Sequence, residues 1–325
     1  MKKFLLPILQ AGVTIYILWR LFGDGELRAQ ASRVLVEADW RWLAGAALAA
    51  ATSELLCATR WWIVLHAFGL PLKWREAVAF SAIGLFYSLG LPGSAGGDAM
   101  RTLYVMERFP GKKLAAAFSV LADRFCGMAA LILALGWTLA ANHGEFFSEG
   151  GLGSRAVLAA AVFLGGAVAM LGLWWSTTIP ALGNWIQARM SGLGARMRQS
   201  GEIFNQMVAR PGPVLAGVGL SVVSLAAHFL GYAFSAQAFE TGLGAVTIFA
   251  VMPVVDTLTM IPIALYGLGL REALFAVLLG EFHNVPAGTA TLVSLGGFAA
   301  QAVVALSGIL FLPFVKLLRF GNAGR

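Results

Sequence analysis

KWREAVAFSAIGLFYSLGLPGSAGGDAMRTLYVMERFPGKK, residues 73–113, is the stretch that decides the fold. Both of its ends are basic: Lys73 and Arg75 open it, and Arg108, Lys112 and Lys113 close it. Basic residues in short loops mark the cytoplasmic side of a membrane. Between them, residues 77–91 are apolar, yet both flanks carry the cytoplasmic mark, so they do not fit a full crossing. They run into Leu91-Pro92-Gly93-Ser94-Ala95-Gly96-Gly97-Asp98. Proline removes a helical hydrogen bond and glycine permits a reversal. The segment is therefore expected to enter the membrane and return: a re-entrant hairpin over 77–98, hinged at Pro92, Gly93, Gly96 and Gly97.

Outward from this stretch the chain is dominated by long apolar blocks at 4–22, 40–68, 114–141, 156–175, 213–239 and 287–318. Apolar residues make up 59% of the 325 and charged residues only 12%. A soluble domain carries roughly 25% charged residues, so too little polar surface is left for a water-facing shell. Lipid offers no partner for open backbone groups, so the spans must be helical. The fold class is an all-α polytopic membrane protein with six full spans. Lys2 and Lys3 precede the first block, and Ala29-Gln30-Ala31 imitates a signal-peptidase site. The 4–22 stretch is longer than a signal core and a charged segment separates it from Ala29, so it reads as a retained span.

Loop charge orients the spans. Lys316, Arg319 and Arg325 lie at the C-terminus, and 176–212 carries Arg189, Arg196, Arg198 and Arg210 against Glu202. The 142–155 loop has Glu145 and Glu149 against Arg155, and 240–245 has Glu240 alone. Both termini are expected in the cytoplasm of a bacterial inner membrane. A second apolar stretch, 246–265, lies between Glu240 and Glu281/His283, two outer loops, and should also return to its starting side. It ends in Ile261-Pro262 and Tyr266-Gly267-Leu268-Gly269-Leu270-Arg271-Glu272, which gives an outer re-entrant hairpin over 246–272 hinged at Pro262, Gly267 and Gly269.

The order is span, span, hairpin from inside, span, and then the same upside down. Residues 1–141 form the first membrane repeat and 142–325 the second, an inverted repeat of the kind found in many secondary transporters. The alternative is eight spans, which breaks the charge pattern at Lys112 and Lys113 unless both hairpins cross together. Ile186, Met190, Leu193, Met197, Phe204 and Val208 recur at helical spacing among arginines and glutamines. They predict a cytoplasmic interfacial helix over 181–210 that links the halves.

Ionised groups at mid-bilayer cost at least about 2.5–3.5 kcal/mol and need a partner, an aqueous cavity or a ligand. Arg60 lies about eight residues from the cytoplasmic end of its span, and Asp123 and Arg124 about nine residues from the same side of theirs. Asp98 and Arg101, at i,i+3 spacing, close the inner hairpin; Arg271 and Glu272 close the outer one. These seven are the candidate headgroup or cavity residues. They read either as ion pairs stapling the bundle or as a phosphate site, since guanidinium binds phosphate bidentately. Arg60 has no acid beside it in sequence, which favours the ligand reading for it. Glu54, Asp256 and His228 are candidates for proton coupling, although a lone His228 reads equally well as a satisfied core residue. Trp61 and Trp62 read as interfacial or packing aromatics. Cys57 and Cys126 have no CxxC spacing, so neither a metal nor a disulfide is expected, and no cofactor.

Arg60-Trp61-Trp62, Leu91 through Arg101, Asp123-Arg124-Phe125-Cys126-Gly127, and Pro262 with Gly267 through Ala273 occur in this order along the chain. Together they resemble the lysylphosphatidylglycerol synthase transmembrane family. Ser94-Ala95 between Gly93 and Gly96, and Tyr266 where the family often has glycine, depart from its pattern. The resemblance implies a flippase-like module that moves an aminoacylated or other lipid. It also implies a separate soluble lysyltransferase domain, which this chain is expected to lack. Other members are associated with hopanoid or isoprenoid-lipid pathways, so the implied partner is a phospholipid or isoprenoid lipid.

Three functions follow. The first is a flippase, with Arg60, Arg101, Arg124 and Arg271 attracting an anionic headgroup while Asp98, Asp123 and Glu272 hold those arginines. The second is a membrane-embedded transferase acting on lipid or polyprenyl phosphate. No HxxxH, nucleophile elbow or metal-ligand cluster supports it, and transport is preferred to enzymatic activity. The third is a non-catalytic partner of a lipid-biosynthesis enzyme, or a homo-oligomer. No Walker motif points to ATP. The net charge of +7 fits an anionic membrane surface, and basic residues scattered over short loops do not fit nucleic acid.

Overall fold

A computed structural model describes residues 38–90, 95–141, 151–176, 211–261 and 267–313. Helices account for the ordered elements and no strand occurs among the described residues. In chain order they are α1 Trp40–Ala67, α2 Trp74–Gly90, α3 Ala95–Arg108, α4 Lys113–Ala141, α5 Leu152–Ser176, α6 Pro211–Ala238, α7 Ala245–Thr259, α8 Leu270–His283 and α9 Ala287–Ser307. Short 3-10 turns precede α4 and follow α9.

Five helical stretches are long and apolar enough to cross a membrane: Trp40–Ala67, Pro110–Ala141, Leu152–Ala169, Gly212–Ala238 and Ala287–Phe311. They coincide with the second to sixth apolar blocks. The expected first span at 4–22, the interfacial helix at 181–210, and the hinge residues Pro92, Gly93 and Pro262 lie outside the described residues. The remaining helices form two pairs, α2–α3 and α7–α8. With 17, 14, 15 and 14 residues, each is about 21–26 Å long at 1.5 Å per residue, short of the roughly 30 Å hydrocarbon core. The second helix of each pair extends past the expected hairpin limits of 98 and 272, to Arg108 and His283. Polar residues interrupt α3 so often that it carries no apolar run.

The most extensive packing joins α1 and α6. They run antiparallel. The Asp39 N–H donates to Ala238 O at 3.0 Å at one end, and the Ser53 hydroxyl donates to Ser224 O at 2.8 Å midway. Small residues allow this approach: a Cβ on Gly231 would already stand 3.4 Å from the Ala46 carbonyl. The end of α1, the start of α2, the end of α3 and the start of α4 gather at the opposite end of the bundle. There Lys112 Nζ donates to Gly69 O at 2.8 Å, and Arg108 lies 3.7 Å from Glu76. The start of α7 and the end of α8 lie together at the Asp39 end. Thr247 near the start of α7, His283 at the end of α8 and Thr289 in α9 surround one recess beside the 239–244 loop. Glu281 of α8 accepts the Gly153 N–H at the start of α5, at 2.8 Å.

Candidate functional site

The two short-helix pairs reach a common cavity of about 430 Å³ from opposite ends of the bundle. The tip of α2–α3 contributes Ser88, Gly97 and Asp98; the tip of α7–α8 contributes Thr259, Met260 and Gly267. Glu54, Cys57 and Arg60 of α1, Asp123 and Arg124 of α4, Asp256 of α7, Arg271 of α8 and Gln301 of α9 complete most of its polar lining, with Arg101 of α3. Residues from Glu54 to Gln301 thus share one polar space inside a largely apolar bundle.

One wall is an alternating chain of charge. Arg60 Nε lies 2.6 Å from Asp123 Oδ1, and the other Asp123 oxygen is 3.4 Å from Arg101 Nη1. Arg101 Nη2 is 2.6 Å from Asp98 Oδ1, and Asp98 Oδ2 is 2.6 Å from Arg124 Nε. Three arginines and two aspartates alternate, so each carboxylate bridges two cations. Arg60 also donates to the Ser221 hydroxyl of α6 at 2.9 Å, and the Arg101 guanidinium sits 4.8 Å from the buried Trp61 ring. Arg60 and Asp123 are buried, while the side chain of Arg124 is 43% exposed. Arg60, which has no acid beside it in sequence, is paired with Asp123. Its acid lies 63 residues away at the same depth, which adjacency along the chain cannot reveal.

The geometry at the α2–α3 tip depends on glycine. A Cβ on Gly97 would collide with Ser88 Oγ and the Gly84 carbonyl, and one on Gly84 would meet the Arg101 stem at 2.7 Å. The small residues let the arms touch and turn Asp98 and Arg101 toward α4. Gly96 belongs to the same first turn of α3.

The other wall is built from the second half of the chain. Asp256 lies 3.2 Å from His228 Nε2, the Gln301 amide nitrogen lies 3.1 Å from His228 Nδ1, and Gln301 also donates to Tyr232 OH at 3.3 Å. The buried Arg271 guanidinium stands 5.5 Å from the Phe298 ring centroid and 6.0 Å from that of Tyr232. Gly267 and Gly269 hold φ of +75° and +85°, a region that glycine enters without steric cost, and α8 starts there. Glu272 is fully buried and does not line the cavity. Its Oε2 accepts the Gly269 N–H, capping α8, and its Oε1 accepts from the Ser294 hydroxyl at 3.0 Å. The expectation that it restrains a cavity arginine gives way to a capping role, because glutamate three residues into a helix reaches back to the first free N–H.

Glu54 faces the cavity and makes no hydrogen bond or ion pair among the described residues. Ser81, Ser88, Thr259 and Ser221 escaped the sequence reading. Ser88, Ser221 and Thr259 satisfy themselves on the preceding turn, on Gly84 O at 3.1 Å, Gly217 O at 2.8 Å and Val255 O at 2.9 Å, and such hydroxyls leave little hydropathy signal. The four-residue spacing of Gly84 and Ser88 was the available clue. Among the described residues no group of three or more histidines, cysteines or acids is placed to hold a metal ion, and both cysteines are free thiols.

A family model described as "Lysylphosphatidylglycerol synthase TM region" matches residues 7–308. No curated protein and no solved structure matches the chain.

Proposed function

The chain belongs to the family of the lysylphosphatidylglycerol synthase TM region, and from that premise we propose that it binds the headgroup of an anionic lipid in the central cavity and carries it between the two faces of the membrane. The observation that carries this reading is the convergence of both short-helix tips on an arginine-rich space within a bundle of apolar, span-length helices. In this reading α2–α3 and α7–α8 are re-entrant hairpins, the halves are inverted repeats, and rocking of one against the other opens the cavity to each side in turn. Short helix pairs that stop in the bilayer are tolerated where they line a polar cavity.

The cavity residues divide their work. Arg60 is fully engaged by Asp123 and Ser221 and acts as a staple. Arg124, half exposed and paired with Asp98, and Arg271, in the facing wall, are placed to meet a phosphate. The aspartates compete with the ligand for the same guanidinium groups, which keeps the grip weak enough for release. Acyl chains remain in the lipid, so the cavity has to hold only the headgroup.

The test is translocation of a labelled anionic phospholipid in proteoliposomes. Loss of a charge-assisted contact is worth about 1.5–3 kcal/mol, so Arg124→Ala and Arg271→Ala should each slow transfer roughly ten- to a hundredfold. Transfer at the wild-type rate in both variants would remove the headgroup role. Recovery of chemically modified lipid from the same vesicles would point to a transferase instead.

A further inference from the structure

We propose that His228, Asp256 and Gln301 form a proton-binding site in the second wall of the cavity, so that proton binding and headgroup binding reinforce each other. The proposal rests on the headgroup reading above and names how that site is regulated.

The geometry suits both protonation states of the imidazole. His228 Nε2 is 3.2 Å from Asp256, and its Nδ1 is 3.1 Å from the Gln301 amide. With a neutral ring, Nε2–H donates to the carboxylate and Nδ1 accepts from the Gln301 NH2 group. With a charged ring, Nδ1 becomes a donor, and a half-turn of the same amide presents its oxygen instead. Tyr232 OH, 3.3 Å from Gln301, can donate or accept and so tolerates either amide orientation. A histidine serving only as packing needs one arrangement. Here one ring nitrogen meets a fixed anion and the other a group that can reverse its polarity. His228 lies directly behind Asp256 and Gln301, which line the cavity.

The surrounding charges set the sign. Of the helices packed on α6, α1 presents Glu54, Cys57 and Arg60 to the cavity. Helix α4 presents Asp123 and Arg124, with Cys126 against Gly217; α7 presents Asp256; and α9 presents the neutral Gln301. Arg101 and Arg271 face in from the two tips. The four cavity arginines and four cavity carboxylates cancel when the carboxylates are ionised and His228 is neutral. One proton on His228 then leaves the cavity with a net charge of +1. An anionic headgroup is therefore held more tightly when the site is protonated and is released when the proton leaves. Reciprocity follows from linkage: headgroup binding draws a proton in. Histidine is the side chain whose charge changes in the physiological range.

The full chain in nanodiscs of phosphatidylcholine, with a short-chain phosphatidylglycerol as the probe, tests this. Affinity at pH 6 should exceed that at pH 8 by about tenfold, a typical coupling between linked sites. Adding the probe in weak buffer should take up protons, read with an indicator dye. His228→Gln and Asp256→Asn should each flatten the pH dependence. Equal wild-type affinity at both pH values with no proton uptake overturns the proposal. So does a pH dependence that survives His228→Gln and disappears in Glu54→Gln. Nitrogen NMR of the four histidines, with His228→Gln to assign the ring, reads protonation without lipid. A His228 signal that titrates while no phosphatidylglycerol binds at either pH overturns the headgroup reading, and the coupling with it, but leaves the proton site. A His228 signal that never titrates overturns the site itself.

Discussion

Two aspartates in the cavity wall each bridge two arginines, yet they should not be equal. Asp123 is buried between Arg60 and Arg101, whose side chains are 9% and 12% exposed. Asp98 is 21% exposed and joins Arg101 to the half-exposed Arg124. Removing a carboxylate from a buried pair strands a charge and costs about 3–5 kcal/mol, whereas an exposed pair contributes roughly 0–1. Thermal unfolding of the purified protein should therefore show Asp123→Asn losing about 3–5 kcal/mol and Asp98→Asn only about 1–2. Equal losses would mean that water reaches both pairs alike. The sequence made Arg60, Asp98, Arg101, Asp123 and Arg124 legible, because charge in an apolar block is costly and their depths agree. It could not say who pairs with whom. Glu272 shows the limit from the other side: a cap and a cavity acid look alike along the chain, and only the Gly269 N–H and the Ser294 hydroxyl tell them apart.

At the level of the helix, the α2–α3 crossing stands on Gly84 and Gly97. Gly97→Ala puts a methyl group against Ser88 Oγ and the Gly84 carbonyl, two groups with little room to move. Such overpacking costs about 1–3 kcal/mol. Gly165 in α5 is the counterpart, because a Cβ there meets nothing within 4 Å. Gly165→Ala should stabilise by up to about 1 kcal/mol, since alanine is the better helix former. Thermal melting of the two variants should move in opposite directions, and a shift in the same direction would dissociate the glycines from packing. The long helices were legible, some ends to the residue and others to within several, because span length and apolar content are one signal: α1 ends at Ala67 against an expected 68, while α5 starts at Leu152 against 156. The second helix of each short pair was not. Helix α3 mixes Asp98, Arg101, Glu107 and Arg108 with apolar residues facing α2 and α4, so its burial is a tertiary fact without a hydropathy run.

Across the whole molecule, charge is unevenly divided between the ends of the bundle. Lys73, Arg75, Arg108, Lys112 and Lys113 cluster where α1 ends and α4 begins, while Glu240 and Glu281 lie at the other end. In the proposed topology the basic end is inside, and each short-helix pair begins and finishes on one side: α2–α3 on the cytoplasmic side and α7–α8 on the outer side. Eight crossings would require the residues flanking each pair to lie on opposite sides. Labelling with a membrane-impermeant maleimide separates the two. In a Cys57→Ala, Cys126→Ala background, Arg75→Cys and Gly111→Cys flank the first pair; Gly244→Cys and Pro286→Cys flank the second. All four positions are exposed, and a Cβ at Gly111 or Gly244 meets nothing within 4 Å, so the added thiols should leave the packing intact. Gly244→Cys and Pro286→Cys should react in intact cells, and Arg75→Cys and Gly111→Cys only after permeabilisation. If either flanking pair splits, its helices cross the bilayer. The cavity would then be lined by spanning helices and not by two tips meeting from opposite faces, and the rocking of halves around a fixed headgroup site would lose its structural basis.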